Sequence, residues 1–211
     1  MDVIEKPDDI DPSCLIVFLT GDGRTEYNVI QSLPKRYGGD NKSLLVAKSP
    51  YSYKSGTGLN ALNAVKTNLS VYKVTNTLCV VDKEFLSDLT KQNMKRKIIR
   101  KLNNYGVCVR SIQCKAVSHE IVFVVNAEIT GRGHVLVYLA VIGENKCIEK
   151  DIAMLIRLEL NKEVEPEKPQ IRAFLHKNHL TLQSLIERAR HVNLAQSFPA
   201  LDKIMRIIED E

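Results

Sequence analysis

The sequence predicts an α/β fold: a mainly parallel sheet with helices on both faces, followed by a β-hairpin and a helical C-terminal part. Three observations carry that expectation. Almost continuously apolar runs at 14–20 and 77–81 suit strands buried on both faces, as in a sheet held between two helix layers. Segments with apolar residues at helical spacing follow these runs, and strands alternating with helices imply right-handed βαβ crossovers. Beyond residue 119 the pattern changes to β-branched runs around a glycine turn, and then to helical periodicity alone.

The first run (CLIVFLT) ends at Gly21, Asp22 and Gly23. A helix over 24–33 follows, with Tyr27, Ile30 and Leu33 recurring at helical spacing before Pro34 stops it. Residues 43–47 read as a second strand, a loop with Pro50 and glycines comes next, and 59–69 has helical periodicity. The third buried strand is 77–81 (TLCVV), with Asp82, Lys83 and Glu84 directly after it. Residues 91–105 read as a long helix with Met94, Ile98, Ile99 and Leu102 inward and Gly106 as its C-cap. A fourth strand is expected at 107–112. Runs at 120–128 and 134–141 flank Thr130-Gly131-Arg132-Gly133 and read as a hairpin. Helices are expected at 148–160, 171–177, 182–191 and 199–209, with Pro166 and Pro169 as a break. A soft boundary near Gly143 separates an α/β domain with an appended hairpin (1–143) from a helical extension packed on it (144–211).

A chain of 211 residues with 44% hydrophobic and 26% charged residues is long enough for a large core and too apolar for global disorder. Its first thirteen residues are acidic where a secretory leader is basic, and no stretch offers 18 uncharged apolar residues. A cytoplasmic, non-membrane protein is expected. Five cysteines, an odd number without C-x-x-C, read as reduced core residues. The net charge of +5 hides a separation of sign: 1–11 is acidic, whereas 91–101 holds six basic residues and no acid. Such a helix either meets phosphates or is a solvated face. The helical C-terminal part is a candidate homodimer surface.

In an open parallel sheet, ligands bind outside the carboxyl ends of the strands. Asp22 follows the first strand and Asp82 the third, so both acids belong to one rim, joined by Glu26 one turn into the first helix and by Glu84. Carboxylates gathered on one edge repel unless something positive joins them, and hard oxygen ligands favour Mg²⁺ or Mn²⁺. The alternative is that these acids cap helix N-termini.

The segment Val17-Phe18-Leu19-Thr20-Gly21-Asp22-Gly23-Arg24-Thr25-Glu26-Tyr27 resembles the first motif of Toprim domains, in the form found in small Toprim-related proteins and overcoming-lysogenization-defect-type nucleases. Val80-Val81-Asp82-Lys83-Glu84 resembles the second, a strand ending in Asp-x-Asp. The resemblance spans about 15–113 and implies a Rossmann-like, Toprim-type sheet. It also implies Asp82 and Glu84 as metal ligands, Asp22 as ligand or proton-transfer group, and Glu26 as an added ligand. Two departures stand out: Asp22 replaces the family's glutamate, and Glu84 replaces the second aspartate. Each changes reach by one methylene, which metal binding tolerates better than catalysis does.

The candidate catalytic residues are thus Asp22, Glu26 and Asp82, and the candidate metal ligands are these three with Glu84. Arg24, Lys83, Lys95, Arg96 and Arg100 are candidate nucleic-acid contacts. The resemblance implies a Mg²⁺- or Mn²⁺-dependent phosphoryl-transfer protein, a nuclease on DNA or RNA. The alternative is a non-catalytic nucleic-acid- or protein-binding module, and a nucleotide-binding regulatory domain explains the acids less well. Among weaker signals, the loop 51–58 joins tyrosines to a lysine, and His176 with His179 lacks the partner of a zinc motif. His119-Glu120 either leans over the rim as an accessory acid or sits half-buried in its strand.

Overall fold

The structure is a computed structural model and describes residues 1–5, 11, 14–20, 24–38, 41–46, 58–86, 90–143 and 147–210. The strands are β1 (Asp2–Ile4), β2 (Leu15–Thr20), β3 (Ser43–Leu45), β4 (Asn76–Asp82), β5 (Cys108–Val117), β6 (Glu120–Ile129) and β7 (Gly133–Ile142). The α-helices are α1 (Arg24–Ile30), α2 (Val65–Tyr72), α3 (Lys91–Asn104), α4 (Ile148–Leu160), α5 (Lys168–Lys177), α6 (Leu182–Arg188), α7 (His191–Ser197) and α8 (Pro199–Glu209). Short 3₁₀ helices occupy Leu33–Arg36, Gly58–Ala64 and Lys83–Leu86.

All seven strands form one sheet in the order β1-β3-β2-β4-β7-β6-β5. Pairings from β1 through β7 are parallel, while β6 runs antiparallel to both β7 and β5. Reversing direction twice leaves β5 parallel to β4, so α3 is a crossover between parallel strands that are not neighbours. The hairpin fills the gap. It therefore lies within the sheet, and β7 pairs directly with β4 along seven residues.

Polarity explains that placement. β6 and β7 are buried along most of their length, whereas β5 carries Arg110, Gln113 and Lys115 and is largely exposed. A strand apolar on both faces is most stable between neighbours, and charges with a bulge suit an unpaired edge. The register of β5 shifts between Val109 and Ser111, as such edges do.

Period-two alternation divides the core. Ile16, Phe18, Leu78, Val80, Tyr138, Ala140 and Ile142 face a layer made by α1 and the C-terminal helices. Val17, Leu19, Cys79, Val81, Val137, Leu139 and Val141 face α2, α3 and residues 58–64. The C-terminal helices direct Ile152, Leu155, Phe198, Leu201, Ile204 and Ile208 into the first layer. Arg36 donates to the Ala189 carbonyl at 2.8 Å and the Tyr37 hydroxyl to Asp202 at 2.9 Å, fastening the far end of the chain across α1. Those apolar faces are spent on the chain's own core. Among the described residues the exposed large hydrophobics are Val71, Tyr105 and Val192, of which Val192 belongs to the C-terminal helices.

Several boundaries differ for local reasons. Pro34 opens a 3₁₀ turn instead of merely ending a helix. Pro169 lies in the first turn of α5, where its missing N–H costs nothing, so that helix starts earlier than expected. Arg190 is extended and splits the expected 182–191 helix into α6 and α7. The cysteines are corrected too. Cys79 is buried and its thiol is pushed up to about 12 by that burial, but Cys108 and Cys114 are exposed on the edge strand. No described helix is long and apolar enough to cross a membrane.

Candidate functional site

The carboxyl rim of the parallel strands gathers the polar residues that the core excludes. β2 and β4 are adjacent and parallel, paired from Ile16↔Asn76 to Thr20↔Val80. Asp82 ends β4 and pairs with Ile142 at the end of β7. Being two residues beyond Val80, it shares that residue's sheet face, the face covered by α1 and α4. It is only 6% exposed, and Glu26, in the first turn of α1, is 4% exposed. Asp22 lies outside the described residues, as do the side chains of Arg24 and Glu84 and the loop 51–57.

β7 delivers Gly143 to the same rim with φ of +99°, a backbone that disfavours any side chain. A Cβ there would come within 2.8 Å of both Asp82 Oδ1 and the Cys147 nitrogen. Gly143 is thus the surface against which the Asp82 carboxylate and the start of α4 close. Gly143→Ala is expected to cost about 1–3 kcal/mol and to displace Asp82. Gly131→Ala is the control, since its φ is +80° but its Cβ would meet nothing within 4 Å. Urea unfolding should show the larger loss at Gly143, with the slope unchanged.

Beneath the rim lies a second group. Glu120, the first residue of β6, is 1% exposed, and Asp151, in the first turn of α4, is fully buried. Glu120 accepts the Gly143 N–H at 2.9 Å through Oε1 and the Ala200 N–H at 2.7 Å through Oε2. One carboxylate thereby anchors both the end of β7 and the start of α8. Burial, and then the neighbouring Asp151 charge, holds the Glu120 carboxyl well above the usual range against the pull of those two N–H groups. His119 joins them, its Nε2 3.4 Å from Asp151 Oδ1. Among the described residues, these three side chains bring one ligand atom each within 4.8 Å of one another. Lys83 donates its Nζ to the His119 carbonyl at 2.7 Å, tying the 3₁₀ turn after β4 to the turn before β6. At the start of α4, burial first, and the Glu149 and Asp82 charges after it, push the Cys147 thiol up against the opposing Lys150 N–H.

Thus Glu26 and Asp82 are placed at the rim, whereas Glu120 and Asp151 are buried acids that the sequence reading left aside or missed. Asp151 had a signal: it lies on the apolar stripe of Ile148, Ile152, Leu155 and Ile156, where an acid needs a buried partner.

The basic helix presents two rows. Lys91 and Lys95 act on the Cys114 thiol of β5, partly offsetting the rise that burial causes there. Lys97, Arg100 and Lys101 instead line a groove of about 500 Å³ with Leu59, Asn60, Leu86 and Asn104. Lys95, Arg96 and Arg100 therefore do not share one surface: Arg96 is exposed between the rows, and only Arg100 reaches the groove. No protein-family model matches the chain, and no match is found among curated proteins or solved structures.

Proposed function

We propose that the chain is a Toprim-like, Mg²⁺- or Mn²⁺-dependent phosphodiester hydrolase acting on DNA or RNA at the rim where β2 and β4 end. The supporting observation is that these strands lie side by side in parallel and that two carboxylates, Glu26 and Asp82, are buried where they end. Carboxylates at one rim form a hard oxygen donor set that fits Mg²⁺ or Mn²⁺. In this reading Asp82 and Glu84 hold the ion, Glu26 adds a ligand, and Asp22 serves as ligand or proton-transfer group. Such an ion supplies an activated water and neutralises charge on phosphoryl oxygens. Lys83 adds positive charge beside the rim. Arg24, Lys95, Arg96 and Arg100 are the phosphate contacts in this reading, Arg100 within the groove that Lys97 and Lys101 also line.

Metal binding stabilises a fold by mass action when the unfolded chain cannot assemble the site. Mn²⁺ at about 100 times its Kd is expected to add roughly 2.7 kcal/mol to the wild type and little to Asp82→Asn. The readout is the melting temperature with Mn²⁺ and with chelator, and equal shifts in both proteins would refute the site.

A second reading, a nucleic-acid-binding module without catalysis, draws on the groove of Lys97, Arg100 and Lys101. That groove lies on the α3 side of the sheet, opposite the face of Asp82. Binding there needs no carboxylate.

A further inference from the structure

We propose that His119, Glu120 and Asp151 form a second divalent-cation site, of the zinc class, separate from the acids at the rim. The three ligands come from two segments: His119 and Glu120 where the chain enters β6, and Asp151 in α4. Their ligand atoms already lie within 4.8 Å of one another. His119 Nε2 is buried and makes no hydrogen bond with any described residue, although Asp151 Oδ1 is only 3.4 Å away. Two ligands about 2.0–2.1 Å from a tetrahedral zinc stand about 3.3–3.4 Å apart, so this pair already has the spacing that a shared cation imposes.

The other ring nitrogen agrees. Nδ1 lies 3.3 Å from Ser118 Oγ, and a proton donated there leaves Nε2 as a bare lone pair 3.4 Å from the Asp151 oxygen. A lone pair facing a carboxylate is repulsive unless a cation or proton lies between them. An outer partner that fixes tautomer and ring orientation is the usual company of a metal-binding histidine. The backbone is held as well: Ser118 has φ of +55°, and Lys83 grips the His119 carbonyl. Each Glu120 oxygen accepts one N–H, and a carboxylate oxygen can take a further partner, the place that a cation would fill. The His119 side chain, 18% exposed, gives access from solvent. One imidazole and two carboxylates suit zinc, with positions left for water.

The test uses the tag-free full chain in the Asp82→Asn background, which removes the proposed rim ligand, with Co²⁺ as the spectroscopic probe and Zn²⁺ as competitor. Asp82→Asn is expected to bind one equivalent of Co²⁺ with a visible ligand-field band that Zn²⁺ abolishes. Adding His119→Ala, or separately Asp151→Asn, should weaken that binding by at least about tenfold, since loss of an outer partner alone commonly costs that much. Each variant is first checked for cooperative unfolding in chelator. Binding that survives both additions, for instance at the exposed His176 and His179, overturns the proposal, as does its absence in Asp82→Asn. The rim reading fails on a different measurement, the Mn²⁺ shift that Asp82→Asn should lose.

Discussion

Asp82→Ala is expected to lower metal-dependent cleavage of nucleic acid by about a thousandfold or more while changing affinity by less than about twofold. Rates depend on interactions made in the transition state, and removing one preorganised electrostatic group commonly costs about 10²–10³. A residue that also holds the ion should lie at or beyond the upper end of that range. In the proposed reading, affinity rests on the basic residues of α3, on the other side of the sheet. The check is single-turnover cleavage and equilibrium binding on the same substrates, for wild type and Asp82→Ala, each with Mn²⁺ and with chelator. Cleavage retained by Asp82→Ala would refute the rim assignment. Salt-sensitive binding without metal-dependent turnover in the wild type would favour the binding module. The two rows of α3 sharpen the comparison: charge reversal at Lys97, Arg100 and Lys101 should flatten the dependence of affinity on salt more than reversal at Lys91 and Lys95. For every phosphate that is no longer neutralised, the slope of log affinity against log salt becomes shallower by roughly 0.7–0.9.

Where the chain buries apolar residues in a strict period, the sequence was readable. β2, β4, β7, α3, α4 and α8 fall within a few residues of expectation because each needs only its own pattern. Strand order was not readable in that way, since it depends on which distant strands become neighbours. The polarity of β5 against β6 and β7 nevertheless held the information: Arg110, Gln113 and Lys115 belong on an edge, and VFVVNA belongs inside. β1 escaped notice because three residues among acids show no period. At the site, the rim followed from a rule about parallel sheets, and Asp82 obeyed it. The buried half did not follow. Glu120 begins a strand apolar on both faces and Asp151 interrupts an apolar helical stripe, but the two lie about thirty residues apart, and only the fold sets the start of α4 against the start of β6.

That buried half carries the largest expected effect on stability. Glu120→Ala leaves the Gly143 and Ala200 N–H groups buried without their acceptor, at about 1–3 kcal/mol each, hence a destabilisation of roughly 2–6 kcal/mol. Glu120→Gln keeps one acceptor oxygen and can donate its amide to Asp151, so its cost should be close to that of a single missing hydrogen bond, about 1–3 kcal/mol. The two also separate by pH. In metal-free protein with chelator, the folded state holds the Glu120 proton more tightly than the unfolded chain, because burial and Asp151 raise its pKa above the ordinary 4.5. Below pH 4.5 both states are protonated and the full contribution is present. As pH rises above 4.5 the unfolded state releases its proton first, so stability falls until the folded carboxyl also ionises, with a limiting slope of about 1.4 kcal/mol per pH unit. Glu120→Gln has no such proton. The free-energy gap between wild type and Glu120→Gln should therefore narrow as pH rises from 4.5, measured by urea unfolding at a series of pH values. A gap that stays constant or widens would mean that Glu120 is ionised in the folded protein, with its charge balanced by a group other than the proton it shares with Asp151.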